Sequence, residues 1–328
     1  IAFRVIGSNQ LGMGHIYRAL TLAHEIADHE IVFQCSVEHD VAVNKIAGYE
    51  YFLKTSAPDR MTDDLIALRP DLVVLDTLDT DADEVIRLRE AGAKVASFED
   101  LGTGARETDL TINELYDTPL FDSPNVLWGH AHAFLREEFH GARRYNFHQK
   151  VRRILLTFGG ADPSDMTMSV LSTIEDWCRA RGIAIQVVCG TAYLHRKRLE
   201  EHVAASDGMV EATFETGVMS RIMEGCDLAV SSNGRTTYEL AHMRIPALIL
   251  EHNDREHTHK FTSQENGFLN LGVWRDIEDR SKVLHSLERL VDDVPFRRRL
   301  HKAMSRFDFV ANKSKVVRRL VELAESRP

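Results

Sequence analysis

The sequence predicts an α/β protein with two domains, each built around a parallel, doubly wound sheet. Short apolar runs of strand length alternate with helical patterns along most of the chain, which is typical of strands buried on both faces. The alternation stops at about 116–149 and then starts again. A chain of 328 residues is also longer than one compact core usually holds.

The first half opens with a strand, a glycine-bearing loop and a helix. The predicted strands are 1–7, 30–34, 71–75, 94–97 and 110–112, and the predicted helices include 16–27 and 82–91. The stretch 116–149 contains prolines, histidines and charged residues without a period. We interpret this stretch as the crossover between the domains.

The second half repeats the same plan. The predicted strands are 153–157, 184–188, 228–231 and 247–250, and the predicted helices are 164–179, 219–224, 236–243 and the charged region from 281 onward. These patterns give an N-terminal domain, 1–148, and a C-terminal domain, 149–328. We expect the carboxyl ends of both sheets to face one cleft, because open α/β sheets bind ligands at those ends.

The composition excludes several classes of protein. A net charge of −10, with 44% hydrophobic and 27% charged residues, is typical of a soluble globular protein and lacks the basic surface that nucleic acid requires. No run approaches the roughly 20 apolar residues of a membrane span. The four scattered cysteines predict buried free thiols in a reducing compartment. We therefore expect a cytoplasmic protein that binds neither nucleic acid nor membranes.

The first candidate motif is Gly-Met-Gly-His-Ile-Tyr-Arg at 12–18, between the first strand and the first helix. Gly12 and Gly14 allow the backbone to turn tightly and approach a ligand, and Arg18 is predicted to contact the substrate. His15 is the predicted catalytic residue, because an imidazole exchanges protons near neutral pH. The alternative is a histidine that only caps or packs the turn.

Two turns in the second half predict a nucleotide site. Gly159 and Gly160 follow strand 153–157 and allow close approach of the backbone. The richer turn lies between strand 228–231 and helix 236–243, where hydroxyl groups and backbone N–H groups can bind a diphosphate. Its predicted ligands are Ser232, Asn233, Gly234, Arg235, Thr236 and Thr237. Glu239, one turn into the helix, is predicted to accept hydrogen bonds from the ribose hydroxyls. The alternative is an ordinary capped helix.

A histidine-rich segment at 251–259 raises the question of a metal. Its three histidines have no HExxH spacing, and alternate residues of a loop are difficult to direct at one ion. We therefore predict no metal and no cofactor, and assign Asn253 to the lining of a sugar pocket.

The combination of these motifs resembles the nucleotide-sugar hydrolases of pseudaminic acid biosynthesis. The resemblance covers most of the chain and rests on segments 12–18, 20–23, 99–101, 109–113, 134–139, 157–163 and 236–240, together with Asp76 after a strand. It implies the GT-B architecture, two Rossmann-like domains with the nucleotide held mainly by the second. It also implies release of UDP from a UDP-2,4-diacetamido-2,4,6-trideoxy sugar, with Asp76 near the substrate.

Two positions depart from the family pattern and leave the particular sugar and base open. The family has a tyrosine soon after the residue that matches Asp76, where this chain has Thr77-Leu78-Asp79, and Arg235 adds a cation to the phosphate loop. The Ser-Asn-Gly-Arg-Thr version resembles a branch fused to an acylneuraminate cytidylyltransferase, so we expect such a domain as a fused or associated partner. A chain that begins at Ile1 without Met fits this expectation. Glycosyl transfer and non-catalytic binding of a nucleotide-sugar are the alternative functions.

Overall fold

The structure of the protein is a computed structural model that describes residues 1–7, 13–26, 28–214 and 217–326. These residues form two compact units. Unit 1 consists of 1–136 and the C-terminal segment from 310 onward, and unit 2 consists of 137–309. The division differs from the predicted boundary at 148/149 in two respects. Residues 137–148 belong to unit 2, and the last helix returns to unit 1, where it buries Val316 and Leu320 in the core.

Unit 1 is built on a parallel seven-stranded sheet with the order β3-β2-β1-β4-β5-β6-β7. Its strands are β1 (Ala2–Val5), β2 (Val32–Ser36), β3 (Phe52–Ser56), β4 (Leu72–Asp76), β5 (Lys94–Phe98), β6 (Leu110–Asn113) and β7 (Val126–Trp128). Its α-helices are α1 (Gly14–Glu25), α2 (Asp40–Ile46), α3 (Met61–Leu68), α4 (Ala82–Glu90) and α12 (Val310–Glu325). The sheet is doubly wound, as predicted.

Unit 2 is built on a parallel six-stranded sheet with the order β10-β9-β8-β11-β12-β13. Its strands are β8 (Arg153–Thr157), β9 (Ala184–Cys189), β10 (Val210–Phe214), β11 (Leu228–Ser231), β12 (Ala247–Glu251) and β13 (Phe268–Val273). Its α-helices are α5 (Met166–Arg181), α6 (Arg196–Ala204), α7 (Met219–Met223), α8 (Thr236–Met243), α9 (Asp254–His257), α10 (Arg280–Asp292) and α11 (Val294–Ala303).

The sequence patterns missed β3, β7, β10 and β13, which are the edge strands of the two sheets. An edge strand is only partly buried, so its sequence lacks the continuous apolar run of a central strand. In β3, for example, Phe52 and Thr55 are exposed and only Ser56 is buried. The central strand β4 is instead buried along its whole length.

The strand order of each sheet reverses at a pair of adjacent central strands. These are β1 and β4 in unit 1, and β8 and β11 in unit 2. Ligands of open parallel sheets bind beside the carboxyl ends of such strands. The predicted motifs follow these strands, so each unit has a candidate site at its own switch point. No α-helix within the described ranges is long and apolar enough to span a membrane.

Candidate active site

Three neighbouring strands of unit 1 each end at a carboxylate. Asp76 is the last residue of β4, Glu99 follows β5 and Glu114 follows β6. The side chain of Arg18, on α1, lies among them and is fully buried. Its Nε donates to Oδ2 of Asp76 at 2.8 Å, and its Nη1 donates to Oε1 of Glu114 at 2.7 Å and to Oε2 of Glu99 at 3.3 Å.

His15 lies one helical turn before Arg18 and contacts the same aspartate. Its Nδ1 is 2.6 Å from Oδ1 of Asp76. Burial would raise the pKa of Asp76, but the charges and hydrogen bonds of Arg18, and then of His15, lower it to about 2. Asp76 is therefore an ionised carboxylate that only accepts hydrogen bonds, so we assign the neutral imidazole proton to Nδ1.

This tautomer leaves the lone pair of Nε2 available to take a proton. Nε2 of His15 makes no hydrogen bond to the described part of the chain, and 9% of the His15 side chain is exposed. An imidazole oriented through Nδ1 by a buried carboxylate is a suitable general base. The predicted catalytic residue thus has the chemical setting that a base requires.

The predicted substrate contact through Arg18 does not fit this geometry, because its guanidinium is enclosed by carboxylates and by the Phe98 ring, 5.1 Å away. Arg18 is instead a positioning residue for Asp76. Asp76 is 1% exposed and contacts His15 rather than solvent.

Gly14 begins α1, and a Cβ there would meet no atom of the described chain within 4 Å. Gly12 lies outside the described residues.

In unit 2, the loop between β11 and α8 is held by Asn233, whose side chain is 1% exposed. Its Nδ2 lies within 3.0 Å of Oε1 of Glu251 and of the carbonyl oxygens of Glu256 and His259. Its Oδ1 accepts a hydrogen bond from Thr262 at 2.9 Å. Asn233 was predicted to bind the ligand, but its amide is fully used within unit 2. It therefore positions the loop.

The remaining groups of this loop are placed at the start of α8. The backbone N–H groups of Gly234 and Thr236 make no hydrogen bond to the described residues, and the buried hydroxyl of Ser231, the last residue of β11, has no partner there either. Thr237 donates its hydroxyl to the Gly234 carbonyl at 2.7 Å, which closes the turn. Arg235 is the N-cap residue of α8, and its side chain is partly exposed. The arrangement combines backbone donors with a helix N-terminus, which together favour an anion.

Glu239 lies in the first turn of α8 and is partly exposed. It is the predicted ribose ligand. It lies one turn beyond the loop, and its role as a ribose ligand stays a prediction.

The turn after β8 approaches this loop from the other strand of the switch point. Gly159 has φ of +85°, which favours glycine, and a Cβ on Gly190 would lie 2.6 Å from Cα of Gly160. The two turns that follow β8 and β9 therefore pack backbone against backbone. His252, after β12, lies with Nε2 3.1 Å from the Phe158 carbonyl oxygen, which connects the β8 turn to the segment 251–259.

The histidines of 251–259 make separate contacts. Nε2 of His252 contacts the Phe158 carbonyl, Nδ1 of His257 lies 2.8 Å from Oε2 of Glu251, and Nδ1 of His259 lies 2.7 Å from the Asn233 carbonyl. Among the described residues, no group of three His, Cys, Asp or Glu side chains has an arrangement that could hold a metal ion. Asn253, predicted to line a sugar pocket, is instead exposed and caps α9 by accepting a hydrogen bond from the Glu256 N–H.

Glu99 and Glu114 are the residues of this site that sequence reasoning did not select. Each lies two residues beyond a predicted strand, 94–97 or 110–112, and the carboxyl ends of neighbouring parallel strands meet at one edge. The strand order that brings them to Arg18 is not visible in a single sequence.

Two doubly wound parallel-sheet units define the GT-B fold, and the fold-class prediction is confirmed. The chain is similar in structure to MurG of Acinetobacter baumannii, with a TM-score of 0.64 and 13% identity over 98% of this chain and 99% of that one. It is also similar to a putative UDP-N-acetylglucosamine 2-epimerase from Listeria monocytogenes, with a TM-score of 0.62 and 10% identity over 100% and 98%.

No protein-family profile matches the chain. It is 28% identical over 275 residues to the uncharacterized protein MJ1062 of Methanocaldococcus jannaschii, across 77% of this chain and 56% of the relative. It is 23% identical over 315 residues to the spore coat polysaccharide biosynthesis protein SpsG of Bacillus subtilis, across 90% of each.

A third relative is the UDP-2,4-diacetamido-2,4,6-trideoxy-beta-L-altropyranose hydrolase of Campylobacter jejuni, 25% identical over 183 residues, or 53% of this chain and 65% of the relative. The chain thus spans little more than half the length of MJ1062 and about two thirds of the hydrolase.

Proposed function

We propose that this chain is an enzyme of nucleotide-sugar metabolism that hydrolyses a UDP-activated diacetamido-trideoxy sugar to UDP and free sugar. The observation that carries the proposal is the Asp76–His15 pair, with 2.6 Å between Oδ1 and Nδ1. The names of SpsG and of the C. jejuni hydrolase support a role in sugar biosynthesis. The reaction would serve the synthesis of a nonulosonic acid.

In the proposed reaction, Nε2 of His15 takes a proton from water as the water oxygen attacks the anomeric carbon. A C–O bond forms on one face of the sugar while the bond to the β-phosphate oxygen breaks on the other, and its electron pair leaves with UDP. The configuration at the anomeric carbon is therefore inverted. Asp76 stabilises the imidazolium that forms, as a buried carboxylate does in other oriented histidines.

Unit 2 is proposed to hold the UDP. The Gly234 and Thr236 N–H groups, the Ser232 hydroxyl and the N-terminus of α8 would stabilise the negative charge on the leaving diphosphate. Glu239 would accept hydrogen bonds from the ribose hydroxyls. Backbone donors would then do what Mg²⁺ does in other phosphate sites, so we propose a metal-independent reaction.

The test is incubation of the protein alone with UDP-2,4-diacetamido-2,4,6-trideoxy-β-L-altropyranose in ¹⁸O-labelled water. We expect UDP and free sugar, with the label in the sugar, because the C–O bond is the one that breaks. Proton NMR of the first product should show the inverted anomer. Label in the phosphate would contradict the mechanism, turnover only with an added acceptor would indicate glycosyl transfer, and binding without turnover would indicate a non-catalytic domain.

A further inference from the structure

Glu99 differs from the other carboxylates around Arg18 in its exposure. The Asp76 and Glu114 side chains are 1% and 0% exposed, whereas 13% of the Glu99 side chain is exposed. The His15 side chain has a comparable exposure, 9%. Among the described residues of the cluster, His15 and Glu99 are therefore the two that a ligand can reach.

Glu99 and His15 also share a neighbour. Nη2 of Arg18 lies 3.4 Å from Oε2 of Glu99 and 3.1 Å from Nδ1 of His15. The two accessible groups thus lie beside the same guanidinium, Glu99 just after β5 and His15 in the first turn of α1. Because Nε2 and Nδ1 belong to one imidazole ring, a ligand of the size of a sugar at Nε2 is large enough to extend toward the Glu99 carboxylate.

The backbone of Glu99 is in the left-handed region, with φ of +56°. A residue with a Cβ is uncommon there because its backbone is strained, and such residues concentrate at functional sites. Leu78, just after β4, has φ of +64° as well. A glycine or an asparagine would fit position 99 with less strain, so the glutamate side chain itself is the feature to be explained.

Glu99 is the third carboxylate beside the Arg18 guanidinium. The guanidinium of Arg18 already has the two buried carboxylates of Asp76 and Glu114, at 2.5 and 2.7 Å. The contact with Glu99 is longer, at 3.3 Å, and places a third carboxylate beside the single Arg18 cation. A partly exposed carboxylate can accept a charge-assisted hydrogen bond from a ligand.

We propose that Glu99 contacts the substrate: its carboxylate accepts a hydrogen bond from the sugar, from a hydroxyl or the N–H of an acetamido group. The inference rests on the proposed function, because it assumes that the molecule at His15 is the sugar of a nucleotide-sugar. Glu99 orients the sugar at the base, and Arg18 holds Glu99 in place. Glu99 therefore contributes to the affinity for the sugar and not to the affinity for UDP.

The test measures binding in a His15→Ala background, so that turnover does not consume the ligand. Dissociation constants for UDP-2,4-diacetamido-2,4,6-trideoxy-β-L-altropyranose and for UDP are determined by calorimetry, and their ratio gives the contribution of the sugar. Glu99→Ala and Glu99→Gln are compared with Glu90→Ala, an exposed glutamate at the end of α4. Thermal midpoints confirm that each variant is folded.

We expect Glu99→Ala to reduce this ratio about tenfold or more, the usual scale for a hydrogen bond to a charged group. Glu99→Gln should retain part of the ratio because its amide oxygen still accepts, and Glu90→Ala should retain all of it. An unchanged ratio in Glu99→Ala, or no preference for the UDP-sugar over UDP before the change, overturns the proposal. Hydrolysis is measured separately in the protein that retains His15. Turnover together with an unchanged ratio would reject the role of Glu99 but not hydrolysis. A reduced ratio without turnover would reject hydrolysis but not the role of Glu99.

Discussion

Oδ1 of Asp76 lies 2.6 Å from Nδ1 of His15, and the aspartate is also held by the buried guanidinium of Arg18. The Asp76 carboxylate thus balances the charge of the buried Arg18 guanidinium. It also fixes the orientation of His15, the only buried histidine in the described part of α1. This double contact connects the stability of unit 1 to its proposed chemistry. It also allows the two roles to be separated by substitution.

Asp76→Asn should lower turnover by at least ~10²-fold, because an amide offers Nδ1 either a donor or an acceptor and no longer fixes the tautomer. UDP release from the UDP-sugar is the measurement. Asp71→Asn is the matched control, since Asp71 is exposed and precedes the same strand at its other end. Equal rates for the Asp76 variant and the control would show that the carboxylate does not act on His15.

His15→Ala should lower turnover by at least ~10²-fold, the usual contribution of a general base, while the affinity for UDP stays the same. The reason is that the nucleotide is assigned to unit 2. His24→Ala, on the same helix and exposed, should leave both quantities unchanged. Full turnover by the His15 variant would remove this residue from the mechanism.

Glu239→Ala should weaken UDP binding by about 1–3 kcal/mol, because it removes charge-assisted hydrogen bonds to the ribose. The thermal shift produced by UDP reports this loss. Glu265→Ala, an exposed glutamate of the same unit, provides the reference. If UDP stabilises both variants equally, Glu239 is only a helix residue.

Exhaustive treatment with EDTA should leave the activity intact, and elemental analysis should find no stoichiometric metal. The expectation follows from the loop before α8, where backbone N–H groups face the position assigned to the diphosphate. Zinc would need three or four ligands about 2.0–2.3 Å away in a tetrahedral arrangement. Loss of activity that one divalent ion restores would contradict the proposed mechanism and direct attention to His252, His257 and His259.

The acid stability of the protein should depend on Asp76. Its pKa is about 2 in the folded chain against 3.8 for the unperturbed group, so its contribution to the free energy of unfolding is complete above pH 3.8. That contribution, on the order of 2 kcal/mol, is lost as the pH falls from 3.8 to about 2. Urea unfolding across this range should give a steeper fall for wild type than for Asp76→Asn. Parallel curves would mean that the carboxylate titrates normally in the folded protein.

The sequence predicted the central strands and the turns after them because both leave local signals. An apolar run marks β4, and glycine beside a helix start marks the entry to α1. The roles of individual polar side chains were less predictable. Asn233 and Asn253 were both assigned to the ligand, whereas one positions the loop before α8 and the other caps α9.

The reason is physical: a polar residue in a loop can use its hydrogen-bonding groups on the chain or on a ligand, and only its three-dimensional neighbours decide which. Glu251, Thr262 and His259, which surround Asn233, are 18 to 29 residues away along the chain. In the same way, Arg18 and Glu114 are separated by 96 residues. No pattern of spacing connects them before the strand order is known.

The return of α12 to unit 1 has a consequence for biosynthesis. Asn312 donates to the Ala133 carbonyl and Lys313 pairs with Glu25, while Val316 and Leu320 complete the apolar core of unit 1. A ribosome makes all of unit 2, 137–309, before it makes this helix. Unit 2 can therefore reach its native state during translation, whereas unit 1 waits with an uncovered apolar surface until the last helix emerges, and is the part of the nascent chain that a chaperone would protect.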